Sequence, residues 1–252
     1  MSEGWARDSL VHFIATPPPF QRDGMALESA ELSTKNRHAE MILPGNSSIM
    51  TSQTKLTIAD VISQNLTEQI IQGTLLPDEK LRQDHIARTF EVSHVPVREA
   101  LLRLQARGLV VNVPRRGVRV APLAASDMRE ILEMRLALEQ VALRHSVPNL
   151  TSEQVQTAEA ALLACDAADD ILTWEYENRR FHHAILAGCA MPRMLAEIDD
   201  LQALAARHLL ASWRKSWVMR VDRDHRAIMV AIARKDIALA VSLLQRHLAR
   251  FA

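Results

Sequence analysis

From about residue 126 onward the sequence is helical throughout, so this half can bury its apolar residues only by packing helix against helix. Ser126 or Asp127 starts the first of these helices. Thr151 with Gln154 forms a capping box for the next, and further helices begin near Asp169, at Pro192, near Val221 and at Asp236. Six or so amphipathic helices make an antiparallel bundle. Only seven glycines and 4% aromatic residues fit a chain rich in helix formers, and the 48% hydrophobic content is ample for a core.

Ahead of the bundle, residues 54–122 follow a different pattern. Ile58, Val61, Ile62, Leu66 and Ile70 keep helical spacing until Gly73 and Pro77, which predicts a helix over about 55–72. A short helix over about 82–90 turns Ile86, Ala87 and Phe90 inward. Ser93 caps a third over about 94–107, with Pro96 tolerated in its first turn. Two β-branched runs, 109–113 and 117–120, flank PRRG and predict a hairpin. Three helices and a two-stranded wing are the parts of a winged helix-turn-helix. The expected fold is therefore mainly α: an N-terminal winged helix-turn-helix, then an all-helical antiparallel bundle over 126–251. Residues 1–50, with Pro17–Pro19 and LPGNSS, read as a disordered extension, and Met50 is a natural place for translation to begin.

The formal net charge is zero, so affinity for nucleic acid has to come from a local patch. Between positions 98 and 119 six arginines stand against one acid, Glu99. Such a patch neutralises phosphates, while the start of the third helix reaches base edges. Ser93, His94, Val95 and Arg98 are the candidates for base contact. Pro96, Arg103, Arg115, Arg116 and Gly117 complete the DNA-facing set. The bland alternative is that Arg98, Arg103 and Arg107 merely solvate a helix face. Residues 81–120 resemble the GntR family of bacterial transcription regulators. The match rests on Ser93, Pro96, Val97, Arg98, Glu99, Ala100 and Leu101, on Leu104, Gly108 and Leu109, and on Gly117. His94 departs from the family's usual Arg, removing a permanent charge and a forked donor.

The stretch WEYENRRFHHAIL (174–186) puts Asn178 and His182 on the face that Ile171, Trp174 and Ile185 also occupy. His225 shares a stripe with Ile228, Met229 and Ile232, and His247 lies among Leu243, Leu244 and Phe251. One histidine on an apolar face is ordinarily a hydrogen-bonded core residue. Three, with an asparagine, converge on a divalent ion if the helices pack together, and the imidazoles must then be neutral. The helical half is similar to the FCD, FadR-related subgroup of GntR regulators: Arg135 and Glu139, the Asn-x-x-Phe-His run at 178–182, His225 and His247 carry the match. That resemblance implies a metal of the zinc, nickel or manganese class on Asn178, His182, His225 and His247. Asn178 stands where relatives have Asp, so the ion is expected to keep its full double positive charge and to favour an anion, a small organic or sugar acid. Arg135 is the second candidate for the effector pocket, with an ion pair to an acid on another helix as the alternative. His183 and His208 are weaker candidates, and Trp213 and Trp217 read as core packing.

The expected function is an effector-responsive, DNA-binding regulator, not an enzyme: a homodimer on a pseudo-palindromic operator, with repression relieved by ligand. Two rival readings remain. One is a metal-dependent hydrolase using the three histidines, although no HExxH accompanies them and Glu175 and Glu177 fall off the ligand face. The other is a purely structural metal. Cys165 and Cys189 lack metal-like spacing and read as reduced, packed thiols. No apolar run is long enough to span a bilayer, and a cytoplasmic protein is expected.

Overall fold

In the computed structural model, which describes residues 56–214, 216–218 and 221–250, Thr57 opens helix α1 (Ile58–Ile71). Its hydroxyl accepts from the Asp60 N–H, and the Asp60 carboxylate accepts from the Thr57 N–H. Helices α2 (Gln83–Thr89) and α3 (His94–Ala106) follow. Ser93 occupies the N-cap position of α3, but its side chain makes no capping hydrogen bond. Ile62, Leu66 and Ile70 of α1 meet Ile86 and Ala87 of α2 and Val97, Leu101 and Leu104 of α3 in one buried cluster.

Strands β1 (Val110–Val113) and β2 (Gly117–Val120) pair antiparallel, with Val110 opposite Val120 and Val113 opposite Gly117. The turn between them holds Arg115 at φ 64, and Gly117, the first residue of β2, has φ +79, a left-handed value that glycine adopts without steric cost. The residues before α2 extend this sheet, which the sequence pattern did not reveal. Leu81 donates its N–H to Val118 at 2.9 Å, and Val120 donates to Glu79 at 2.9 Å.

The helical half consists, among the described residues, of α4 (Ala125–Ser146), α5 (Ser152–Ala167), α6 (Ile171–Leu186), α7 (Pro192–Trp213), α8 (Arg223–Ala233) and α9 (Ile237–Ala249). The capping box at Thr151 and Gln154 is present. Asp170, Asp222 and Asp236 cap α6, α8 and α9 through their side chains. Neither Ser126 nor Asp127 caps α4: the helix begins at Ala125, and the Ser126 hydroxyl donates to Asp127. Phe181, Ile185, Leu143, Ile198, Ile228 and Leu244 lie at the centre of the main core. Cys189 belongs to that core, and Cys165 packs with Trp174, burial pushing its thiol up to about 12. Trp213 and Trp217 pack against Ile71, Ile171 and Leu210. No helix among the described residues is long and apolar enough to cross a membrane. The segment 1–50 and Phe251 lie outside the described residues.

Helix α7 serves both halves. Leu201 and Ala205 pack with Ile131 of α4, while Leu204 reaches the core of the three-helix segment. Four arginines tie the halves together. Arg107 pairs with Asp200 at 2.5 Å, and Arg207 donates to the Ala121 carbonyl. Arg214 donates to the Gln72 carbonyl at 3.1 Å, and Arg179 grips Glu68.

The turn Ala187–Cys189 after α6 presses on the end of α4. Ser146 donates its hydroxyl to the Ile185 carbonyl at 2.7 Å and accepts from the Gly188 N–H at 2.9 Å. A Cβ on Gly188 would lie 2.7 Å from the Ser146 carbonyl oxygen. Gly188→Ala is therefore expected to cost about 1–3 kcal/mol, read as a lower denaturation midpoint in urea.

Candidate metal site and DNA-binding face

His182 stands on the fourth turn of α6, His225 on the first turn of α8 and His247 near the end of α9, and all three are buried. Nitrogen atoms from the three rings lie within 4.8 Å of one another. The Nε2 atoms of His225 and His247 are 3.2 Å apart, and Phe181 stacks on His225 at 4.2 Å between ring centres. Burial, then the neighbouring imidazoles, holds His225 well below the ordinary histidine range; burial, then His182, does the same for His247. Both are therefore neutral at physiological pH, the form that ligates a metal.

Behind each imidazole stands a carboxylate. Glu139 Oε2 is 3.4 Å from His182 Nδ1, Asp222 Oδ2 is 3.4 Å from His225 Nδ1, and Asp224 Oδ2 is 3.5 Å from His247 Nδ1. A carboxylate hydrogen-bonded at Nδ1 orients a metal-ligating imidazole; here the carboxylates face the rings at that distance, while His182 Nδ1, His225 Nδ1 and Glu139 Oε2 are buried without a hydrogen-bond partner. Asn178 lines the same cavity as His182 and His247, and its Oδ1 is buried without a hydrogen-bond partner. An orphaned amide oxygen in a cavity that two of the three converging histidines line suits a borderline divalent cation of the zinc, nickel or manganese class.

Two expectations need correction here. The site would not leave an ion its full double charge, because three carboxylates lie behind the ligands and only two are shared with guanidiniums, Glu139 with Arg135 and Asp224 with Arg250. Glu175, expected off the ligand face, is 2% exposed and lines the cavity. It turns inward because Arg179, one turn later, donates to both of its oxygens, at 2.9 and 3.0 Å. Glu177 stays outside the cavity, paired with Arg180.

Arg135 points inward and lines the cavity, but its carboxylate partner is on its own helix: Nε donates to Glu139 at 2.7 Å. Glu175, which lines the same cavity, also feels the Arg135 charge. Gln202 donates to the same Glu139 oxygen at 3.4 Å. His183 is exposed and His208 half-buried, and neither joins the cluster. Sequence reasoning missed Asp222, Asp224 and Gln202. The spacing Asp-x-Asp-His at 222–225 was the available signal for the first two.

At the other end, Ser93, His94, Val95 and Arg98 are exposed at the start of α3, with Pro96 half-buried beneath them. Arg115, Arg116 and Gly117 form the exposed wing tip. His94 approaches Asp84 of α2, with 3.5 Å between Nε2 and Oδ1. The arginine patch is smaller than its count suggests. Arg103 is tied to Asp60 of α1 and not held out for phosphate, because α1 and α3 pack side by side. Arg107 is held by Asp200, and Arg119 donates to the Asp78 carbonyl. Arg98, Arg115 and Arg116 face outward with no ion pair among the described residues. Exposed Lys80 beside Gly117 adds a cation that sequence reasoning did not single out.

Two pH-dependent terms follow for the metal-free protein. Burial pushes Glu139 up, but the Arg135 guanidinium and the neighbouring His182 outweigh it and bring the carboxyl to about 2. Its contribution to stability is present above the ordinary carboxylate range and lost as pH falls toward 2. Burial raises Glu175 to about 7 against the pull of Arg179. Its contribution is full below its ordinary value of 4.5 and lost as pH rises through about 7. Glu175→Gln is thus expected to flatten the fall in unfolding free energy between pH 5 and 7 by roughly 1–3 kcal/mol, measured by urea denaturation. On the DNA-binding face, Arg116→Ala should lower the slope of log affinity against log salt on duplex DNA by about 1. Arg103→Ala should leave that slope unchanged and lower the melting temperature.

Comparison with known proteins adds to this geometry. Residues 58–120 match the family described as bacterial regulatory proteins, gntR family, and residues 130–250 match the FCD domain. The chain is 32% identical over 196 residues to the HTH-type transcriptional repressor GlaR of Escherichia coli (strain K12), covering 73% of this chain and 89% of that protein. It is 29% identical over 203 residues to the uncharacterized HTH-type transcriptional regulator BphR of Paraburkholderia xenovorans (strain LB400), covering 76% and 82%. Among solved structures, E. coli McbR/YncC shares the fold with a TM-score of 0.69 at 23% identity, covering 77% of this chain and 95% of that one.

Proposed function

The chain belongs to the GntR family of bacterial transcription regulators, with an FCD domain as its C-terminal half, and from that premise we propose that a small carboxylate, bound beside a divalent metal ion, sets its affinity for operator DNA. The relatives are DNA-binding regulators and not enzymes, so the hydrolase reading is set aside. Helix α3 enters the major groove with Ser93, His94, Val95 and Arg98 at the base edges, while Arg115 and Arg116 of the wing meet phosphates. A two-fold homodimer reads a pseudo-palindrome. The E. coli relative is named a repressor, which supports repression as the sense of control.

One observation carries the metal assignment: three buried imidazoles converge with a carboxylate behind each Nδ1. His182, His225 and His247 hold the ion and Asn178 Oδ1 adds a neutral oxygen. Bound there, the ion supplies positive charge for an anion. Arg135 adds a second anchor, since only its Nε is taken up by Glu139. Asp222→Asn, which leaves the ligand nitrogens in place, should lower metal affinity 10–100-fold in a competition titration with a zinc indicator. Hydroxy and sugar acids titrated into the metal-loaded protein on its operator should weaken DNA binding 5–150-fold. An unchanged affinity across the whole panel would contradict the effector reading.

A structural metal is the second reading, favoured by the size of the cavity beside the cluster, about 20 Å³. A cavity of ~10–15 Å³ holds one water, so this one holds little more. If chelation melts the bundle and no acid shifts DNA affinity, the metal is structural.

A further inference from the structure

The small cavity and the junction between the two halves share a wall. The cavity is lined by Arg135, Glu175, Asn178, Arg179 and Gln202, among others. A groove of about 310 Å³ on the far side is lined by Thr67 and Glu68 of α1 and by the same Arg179 and Gln202. Arg179 is therefore the partition between the candidate effector site and the first helix of the DNA-binding segment. Its guanidinium is divided between the two sides. Nε donates to Glu175 at 2.9 and 3.0 Å, while Nη1 and Nη2 form a fork on the two oxygens of Glu68, both at 2.9 Å.

At about 20 Å³ the cavity admits no organic acid unless its wall yields. Most of that wall is fixed. Ala205, Ala206 and Leu209 belong to α7, packed in clusters with both halves, and Leu248 belongs to the main core. Arg179 differs from them, because what holds it outward is a carboxylate, and an entering carboxylate offers its fork the same bidentate geometry. Exchanging one acid for another at a guanidinium leaves no buried charge unpaired, whereas displacing the aliphatic wall opens the core.

We propose that an acidic effector and Glu68 compete for Arg179, so that ligand entry releases α1 from α6 and frees the DNA-binding segment to change its placement. The proposal rests on the acid-effector reading above and adds the residue that reads the acid and transmits its arrival. The pairs Arg107–Asp200 and Arg207–Ala121, and the Arg214 contact to Gln72, keep the segment attached, so the change is a reorientation. It also explains how so small a cavity serves an organic ligand.

The test uses the full chain loaded with one equivalent of zinc, titrated with glycolate, malate and gluconate by calorimetry. Hydrogen exchange of peptides spanning 58–72 is followed in parallel. Glu68→Gln removes the competitor without touching the cavity. It should bind the tightest of the three acids about tenfold more strongly than the wild type, the change that ~1.4 kcal/mol represents. Its α1 amides should exchange faster without ligand and gain nothing further from it, whereas wild-type α1 should speed up only when the acid is added. Arg179→Lys keeps the charge but lacks the fork, and should bind the acid more weakly than the wild type. Zinc stoichiometry in each variant verifies an intact bundle. Equal acid affinity in Glu68→Gln and the wild type, or acid binding with unchanged α1 exchange, overturns the latch and leaves the effector reading standing. Failure of all three acids to bind either protein overturns both.

Discussion

The fold of the helical half turns on three imidazoles taken out of water. Each loses its hydration on burial, and a buried polar ring without partners costs on the order of 1–3 kcal/mol. Here each Nδ1 faces a carboxylate, although those of His182 and His225 are buried without a hydrogen-bond partner, and each carboxylate in turn is held: Glu139 by Arg135, Asp224 by Arg250, and Asp222 by the backbone N–H groups of Asp224 and His225 that it caps. The chain of obligations reaches from α4 through α6 to α8 and α9, so the cluster also fixes where these four helices meet. His225 and His247 are left with ring nitrogens 3.2 Å apart at the centre. In the proposed metal reading, a shared cation would lie between these nitrogens and take up the orphaned Asn178 oxygen.

Much of this was legible in the sequence because it is periodic. Asn178, His182, His225 and His247 fall on apolar stripes at helical spacing, and local rules give the caps at Thr151 and Asp236, the wing at 109–120 and the start of α3. What escaped is set by tertiary partners, which no local pattern records. Arg103 looks like Arg98 in the sequence, yet one is tied to Asp60 and the other faces solvent. Glu175 reads as a surface acid until Arg179 draws it inward. Ser126 is a fair cap by composition, but Asp127 takes its hydroxyl. The carboxylates at 222 and 224 were present in the sequence just ahead of His225, though their role emerges only when α8 and α9 close over the same centre.

The arginines divide into two populations with different work. Arg98, Arg115 and Arg116 face outward, where charge acts over a distance and is screened by salt. Arg107, Arg179, Arg207 and Arg214 face inward and join the three-helix segment to the bundle. A zero net charge thus conceals an exposed basic patch and an internal fastening built from the same residue type. Helix α7 packs against both halves, through Leu204 on one side and Leu201 and Ala205 on the other.

The account stands on the buried cluster being a metal centre. X-ray absorption at the zinc edge of the full chain, loaded with one equivalent of zinc, tests this directly. The predicted result is a first shell containing three imidazole nitrogens at about 2.0–2.1 Å, completed by oxygen. A shell built of oxygen or sulfur without imidazole scattering, or a protein that retains no zinc, would contradict it.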